Sequence, residues 1–338
     1  MIAGGRHMNK GFLAKLKKSD LADKISLIIA MIIMVIVFTY LNKNYFSVPN
    51  LMNILTACSL MGFVAIGETY LIIANQIDLT AGATAAFAGV LAARLLRFGA
   101  PGFIALIAGV LAGIAIGAVN ATMINYLRLQ PFIATLASMS IVRGFAYIMC
   151  NGKAVSASVK SFTIFGSFRL FGIVPLPVII LLAAFLVFGY ILKSTYYGRS
   201  VYVLGGNAYA ARLAGMNPKK IIYKLHIVEG ALTGLAGVLL AARMNSGQPS
   251  ACDGLEFDAV TAAVLGGCAF TGGVGTMLGT FIGMVILQGF NTGMNMVGLQ
   301  TFWQQVAKGL LLVVALAFDF YRKRSREKKL LEDSKKAR

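Results

Sequence analysis

Acidic residues are scarce in this chain: 12 Asp and Glu stand beside 31 Lys and Arg in 338 residues. Charged residues make up 13% of the sequence, about half the share in an average soluble domain, which excludes an ordinary soluble globular protein. There are two histidines, His7 and His226, and four cysteines, Cys58, Cys150, Cys252 and Cys268, without C-x-x-C or Cys/His spacing. That excludes a zinc site of the usual kind. Three of the cysteines lie in apolar blocks, so they read as buried inert thiols rather than a disulfide. No G-x-x-x-x-G-K-[ST] loop occurs, so the chain has no phosphate cradle for ATP. The absence of H-E-x-x-H and G-x-S-x-G removes the common hydrolase sites. No enzyme chemistry and no cofactor are expected in this chain itself.

The formal charge of +19 would point to nucleic acid in a soluble protein. Here the basic residues sit at both ends and in one internal loop, not on one folded face with interleaved aromatics. A membrane topology signal explains them better, and no nucleic-acid partner is expected.

What the chain has in abundance is apolar sequence: 58% hydrophobic residues, 37 glycines and a mean hydropathy of +0.78. A spanning helix needs about 20 apolar residues, and ten blocks of that order occur: 25–41, 51–74, 79–97, 101–127, 132–150, 173–193, 221–243, 256–275, 277–296 and 300–320. The expected fold is an all-α polytopic membrane protein with eight to ten spans. Residues 1–24 read as a basic cytoplasmic tail, opening with an extension (MIAGGRHM) ahead of a second start at Met8. Residues 25–320 form the transmembrane domain with a cytoplasmic connection at 194–220, and 321–338 a basic cytoplasmic tail. With both termini inside, basic residues on the inside outnumber those outside roughly three to one. An eight-span version with two re-entrant segments keeps the same orientation.

Glycines recur at helical spacing: Gly109, Gly113 and Gly117; Gly230 and Gly234; Gly275, Gly279 and Gly283. Small residues four apart let helix backbones approach closely in lipid, so a tight bundle is expected. An echo between Ile77–Gly82 (IDLTAG) and Ala269–Gly273 (AFTGG) hints at duplicated halves, a common transporter plan.

Ionisable groups at membrane depth are costly unless they face protein or water. Glu68, Asp78 and Glu229 lie within or between the apolar blocks, with Asp253, Glu256 and Asp258 at one boundary. In GETYLIIANQIDLTAG (67–82) the polar Asn75, Gln76 and Asp78 interrupt an apolar run, and Asp78 or Thr80 is placed to cap the next helix. Unwound backbone at that depth survives only beside protein or a water-filled cavity. A second break is Arg128-Leu129-Gln130-Pro131-Phe132, where proline forces a turn and a new helix. Gln288, Asn291 and Asn295 share one helical face, expected to look into the bundle.

In the 194–220 connection, Asn207 is placed to cap a short helix over AYAARL, ended by Gly215 and Pro218. So defined a helix suggests a docking element for a cytoplasmic partner.

The segment YGRSVYVLGGNAYAARLAGMN (197–217) resembles the coupling region of sugar-type ABC importer permeases, the ribose, xylose and galactose group related to branched-chain amino acid permeases. IDLTAG (77–82), PFIATL (131–136) with Arg143-Gly144, and LEFDAVTAAVLGGCAFTGGVGTMLGT (255–280) agree in order, over about residues 50–320. The resemblance implies an ABC importer permease fold and a membrane subunit that pairs with a second permease copy or paralogue. It further implies separate ABC ATPase subunits, which use the ATP, and an extracytoplasmic substrate-binding protein that delivers the cargo. It carries the ATPase contact onto Gly205, Gly206, Asn207, Ala210, Ala211 and Gly215, with Arg212 on the same helix. The translocation pathway is expected at Glu68, Asn75, Asp78, Thr80, Phe132, Thr135, Gln288 and Asn291. Asn75 and Gln76 stand where the family usually has two glycines, Cys268 replaces a small hydroxyl residue and Ala137 a glycine. These departures put contacts to a ribose-like cargo near residue 75 in question. Other cargoes for the same machinery are a nucleoside, a furanose signal molecule or a branched-chain amino acid. An ion-coupled secondary transporter using Asp78 and Glu68 is the alternative from another class.

Overall fold

The computed structural model describes residues 10–314, with 316, 317 and 320. The expected start extension and the 321–338 tail lie outside the described residues. Helices dominate: α1 (Lys10–Leu41), α2 (Val48–Ile73), α3 (Ala81–Arg97), α4 (Gly102–Asn125), α5 (Pro131–Cys150) and α6 (Lys160–Ser167) make the first half. The second half holds α7 (Leu176–Ser194), α8 (Tyr196–Gly206), α9 (Ala208–Leu213), α10 (Pro218–Met244), α11 (Leu255–Leu265) and α12 (Met277–Met296). Helix resumes from residue 301. Two ladders of two-residue strands are the only β-structure among the described residues: β1 (Val155–Ser156) with β4 (Ser246–Gly247), and β2 (Arg169–Leu170) with β3 (Val174–Pro175).

Among the described residues, six helices are long and apolar enough to cross a membrane: α2, α4, α5, α7, α10 and α12. The parse into ten segments needs correction at three places. Segment 25–41 is the end of one helix that already runs from Lys10. Segment 79–97 is a 17-residue helix beginning at Ala81. Segment 256–275 is not one helix: α11 stops at Leu265 after 11 residues, because Gly267, Gly272 and Gly273 take positive φ and carry the chain through an irregular turn. Apolar composition marked this stretch, but its glycines decide the backbone.

α2 is the axis of the bundle. Ser47 caps it by accepting from the Asn50 amide at 3.4 Å, and every residue from Met61 to Ile73 is buried. A helix buried on all sides has neighbours on all sides; α7, α10, α11 and α12 surround it. α4 instead exposes Phe103, Ile104, Leu111 and Val119 and buries its glycine stripe.

That stripe meets the stripe of α10 in antiparallel register. A Cβ on Gly113 would fall 2.0 Å from the Gly230 carbonyl oxygen, one on Gly117 2.0 Å from that of His226, and one on Gly109 2.2 Å from a Val238 methyl. The expected close packing is present, and it joins α4 to α10. Gly279 and Gly283 do the same against Gly266 and Ala262 of α11.

The order long helix, irregular turn, shorter helix, long helix occurs twice, as α2–α3–α4 and α10–α11–α12. The turn matching 74–80 is therefore 245–254, not Ala269–Gly273 as the sequence echo suggested. The 245–254 turn and the start of α11 meet the first turn of α3, where a Cβ on Gly82 would lie 2.3 Å from both the Cys252 carbonyl oxygen and Glu256 Oε2.

Candidate functional site

Two features stand out inside this bundle: a buried polar cluster behind the end of α2, and the 194–220 connection packed onto that end.

The cluster is centred on Asp78. The chain leaves α2 at Ala74, turns through Asn75 in the left-handed region (φ 58°), and the Gln76 amide donates back to the Leu71 carbonyl at 2.8 Å. This closes the helix and returns the chain alongside α2, where the Asp78 amide donates to Glu68 Oε1 at 3.3 Å. Asp78 Oδ1 accepts from the Thr80 amide at 2.8 Å and from the Thr80 hydroxyl. Asn120 of α4 donates to Asp78 Oδ2 at 3.2 Å and to Thr80 Oγ1 at 2.9 Å. His226 Nδ1 of α10 lies 3.4 Å from Asp78 Oδ2. The expected capping is thus divided: Thr80 stands at the N-cap position of α3 without a side-chain cap bond, its hydroxyl turned to Asp78. The Asp78 carboxylate ties the 74–80 turn to α4 and α10, and its backbone amide ties the turn to α2 through Glu68.

Glu229 lies one turn further along α10. Its Oε1 accepts from Thr233 at 2.9 Å, and its Oε2 presses on α2 so closely that a Cβ on Gly67 would be 1.4 Å away. Glu68, Asp78, His226, Glu229 and Asn120 are all buried. Glu68 Oε2, Glu229 Oε2, His226 Nε2 and Asn120 Oδ1 have no hydrogen-bond partner among the described residues. No group of three or more His, Cys, Asp or Glu fit to hold a metal occurs among the described residues.

The 194–220 connection holds more helix than the sequence suggested. α8 precedes the expected short helix, with Thr195 accepting from the Gly198 amide at 3.1 Å as its cap. α9 begins where expected: Asn207 Oδ1 accepts from Tyr209 and Ala210 amides, each at 3.0 Å. It ends at Gly215, with φ 77° and the Met216 amide donating to the Ala211 carbonyl at 3.0 Å. Ala211 is buried, whereas Asn207, Ala210, Arg212 and Gly215 are exposed. The neighbours Tyr209 and Leu213 are 72% and 73% exposed, so α9 offers an outward face with an apolar component.

Gly205 fastens this connection to the bundle. A Cβ there would lie 1.7 Å from the Ile73 carbonyl oxygen and 2.9 Å from the Gly273 nitrogen, and the Gly273 amide itself donates to Ile73 at 2.8 Å. Tyr202 of α8 donates its hydroxyl to the Gly275 carbonyl at 2.8 Å; burial pushes that phenol up to about 12, keeping it a neutral donor. The end of α2, the 266–276 turn and α8 therefore meet at one point.

Of the sequence-predicted pathway residues, the structure brings Glu68, Asp78 and Thr80 together. Asn75 is placed at the helix end, beside Gly272, outside the polar cluster. Phe132 is 52% exposed on α5, and Thr135 is buried with its hydroxyl donating to the Pro131 carbonyl at 2.8 Å. Asn291 is buried on α12 with Oδ1 unpartnered, Gln288 is half-buried, and Asn295 accepts from Gln304 at 2.8 Å. Among the described residues, Phe132, Thr135, Gln288 and Asn291 make no side-chain hydrogen bond to the Asp78 cluster.

The sequence reading missed Asn120 and His226. A signal for both existed: Asn120 is three residues beyond Gly117, on the same close-packed face, and His226 is four before Gly230 on the facing stripe. Arg143, legible in the sequence as part of the Arg143-Gly144 motif, has a structural task that the motif does not announce. On α5 it donates to the Pro249 and Ala251 carbonyls at 2.9 and 2.8 Å and lies 3.8 Å from Asp253, fixing the 245–254 turn.

A central buried helix ringed by long apolar helices, with broken segments on both sides of it, defines a polytopic transmembrane protein. Residues 50–316 match the family described as branched-chain amino acid transport system / permease component, and the chain belongs to it. It is 36% identical over 322 residues to the ribose import permease protein RbsC of Escherichia coli strain K12, covering 94% of this chain and 97% of that one. It is 33% identical to the L-arabinose ABC transporter permease protein AraH of Azospirillum brasilense, over 91% of this chain and 90% of the relative. With RbsC of Bacillus subtilis strain 168 it shares 34% identity, over 88% and 92%. No solved structure matches.

Proposed function

We propose that the chain is the transmembrane permease subunit of an ATP-binding cassette importer that moves a monosaccharide across the membrane. The family and the sugar permeases among its relatives support the cargo class. In this reading a binding protein outside the membrane delivers the sugar, separate ATPase subunits supply the energy, and a second permease copy or paralogue completes the pathway. Both termini lie in the cytoplasm in this reading, the arrangement the basic-residue bias favours.

The observation that carries the reading is the seat of Gly205 on Ile73 and Gly273. α9 presents its outward face to the ATPase, and any displacement of α8 and α9 is delivered at that point to α2 and the 266–276 turn. Packed elements transmit such movement as rigid bodies rather than absorbing it. Five residues up α2 from Ile73, Glu68 passes it to the turn held by Asp78. Enzyme activity has no place in this assignment: the chain moves cargo, and the ATPase performs the chemistry.

A nucleoside, a furanose signal molecule or a branched-chain amino acid would use the same machinery with a different binding protein. An ion-coupled mechanism through Glu68 and Asp78 would leave α9 without a task, and Asp78 is already occupied by Thr80, Asn120 and His226.

The test is reconstitution of the full complex in liposomes. Sugar uptake is expected only with ATP and the loaded binding protein, and Arg212→Glu or Gly215→Pro is expected to abolish stimulation of ATP hydrolysis by the loaded binding protein while the subunit still inserts. Uptake that survives ATP removal under a clamped ion gradient would overturn the assignment.

A further inference from the structure

A sizeable cavity lies away from the polar cluster. It is a groove of about 880 Å³ between α7 and the start of α12, walled by Leu182, Phe185, Leu186, Leu278 and Phe281. That volume falls in the range of pockets that bury a small organic ligand, roughly 300–1,000 Å³. One end is different in character. Lys193, in the last turn of α7, and Ser194 line it, and Arg199 of α8 donates to the Ser194 carbonyl at 3.4 Å. Lys193 and Arg199 are both exposed. Lys193 thus stands at the mouth of an apolar trough, with Arg199 bonded to the lining residue Ser194 beside it, at the point where a spanning helix ends and a surface helix begins.

We propose that this groove is a binding site for an anionic phospholipid, whose acyl chain lies along Leu182, Leu186 and Phe281 and whose phosphate is held by Lys193 and Arg199. Charge complementarity selects this occupant. A basic pocket between spanning helices at the membrane surface attracts acidic headgroups, whereas an apolar groove without cations would take any lipid tail. The site touches the mechanical parts of the protein: Tyr202 and Thr276, which line the same groove, belong to α8 and to the turn that receives it. A bound lipid buttresses α8 against α12. The assignment needs only that α7 ends at a membrane surface, so it stands independently of the cargo and of which side is cytoplasmic.

The experiment uses the purified full-length protein in detergent, with phosphatidylglycerol and phosphatidylcholine of matched chains added separately and bound lipid read by native mass spectrometry. Phosphatidylglycerol is expected to be retained preferentially. The double variant Lys193→Gln/Arg199→Gln is expected to lower its retention about thirtyfold, the loss of two basic contacts at a lipid surface, with phosphatidylcholine unaffected. Gly189→Trp, which fills the trough, is expected to remove both lipids. Equal retention of the two lipids by the wild-type protein, which requires no variant to fold, would overturn the proposal. So would disulfide crosslinking of two copies through Leu186→Cys, which would assign the groove to contact between copies of the chain.

Discussion

Gly205 and Ile73, 132 positions apart in sequence, are in such close apposition that a Cβ on the glycine would lie 1.7 Å from the isoleucine carbonyl oxygen. Nothing larger than hydrogen fits, and the obstacle is backbone, which does not rotate away. Gly205→Ala is therefore expected to lift α8 from the end of α2. In reconstituted complexes, stimulation of ATP hydrolysis by the binding protein should fall at least about tenfold, an expenditure of binding energy near 1.4 kcal/mol, while membrane insertion persists. Gly309→Ala, where a Cβ meets nothing within 4 Å, is the control. Normal stimulation in the Gly205 variant would detach this contact from coupling.

The same logic applies deeper, at Gly67 and Glu229. An alanine at 67 would meet Glu229 Oε2 at 1.4 Å and its Cα at 3.0 Å, so both side chain and helix must give way. Gly67→Ala should destabilise by about 3 kcal/mol or more, the upper end for overpacking, read as a lowered unfolding temperature in detergent. Combining it with Glu229→Ala should recover part of that loss, since contacting residues are non-additive. Strict additivity would show that the two do not press on each other.

Through one carboxylate Asp78 holds the 74–80 turn to α4 and α10. Asp78→Ala leaves the Thr80 amide and His226 Nδ1 unmatched in a dry interior and leaves Asn120 only its bond to Thr80, and breaking a buried charged network by removing one member costs about 3–5 kcal/mol. Low yield and loss of transport are expected. Asp78→Asn keeps the shape but removes the charge and places a donor where the Thr80 and Asn120 amides already donate, and should also impair transport or assembly. Wild-type uptake together with wild-type yield in Asp78→Asn would remove the carboxylate from any functional role.

Asn75 has a φ of 58°: the chain turns there through the left-handed region, which glycine adopts freely and asparagine tolerates better than other residues with a Cβ. Asn75→Gly should leave transport and sugar preference unchanged. Asn75→Val should lower stability by about 1–2 kcal/mol, the cost of a left-handed residue. A change of cargo preference in Asn75→Gly, measured by competition uptake, would return this residue to the pathway.

Much of this was legible in the sequence, and the reasons are local. Asn207 caps α9 and Gly215 ends it because capping depends on a side chain and the backbone two or three residues away. Pro131 starts α5 because a missing amide and a fixed φ act on their immediate neighbours. The glycine stripes of α4 and α10 announce close contact because spacing alone puts small residues on one helix face.

The sequence by itself thus determined an apolar helical chain, its main breaks and its small-residue faces, all consequences of neighbours along the backbone. Only the tertiary structure decided that α4 meets α10, that Asn120 and His226 join Asp78, that the 245–254 turn is the counterpart of 74–80, and that Gly205 rests on Ile73. Those pairings join residues from about 40 to about 170 positions apart, and what selects them is which backbones approach closely enough and which buried polar groups find partners. Composition and periodicity carry no record of that choice until the bundle has closed.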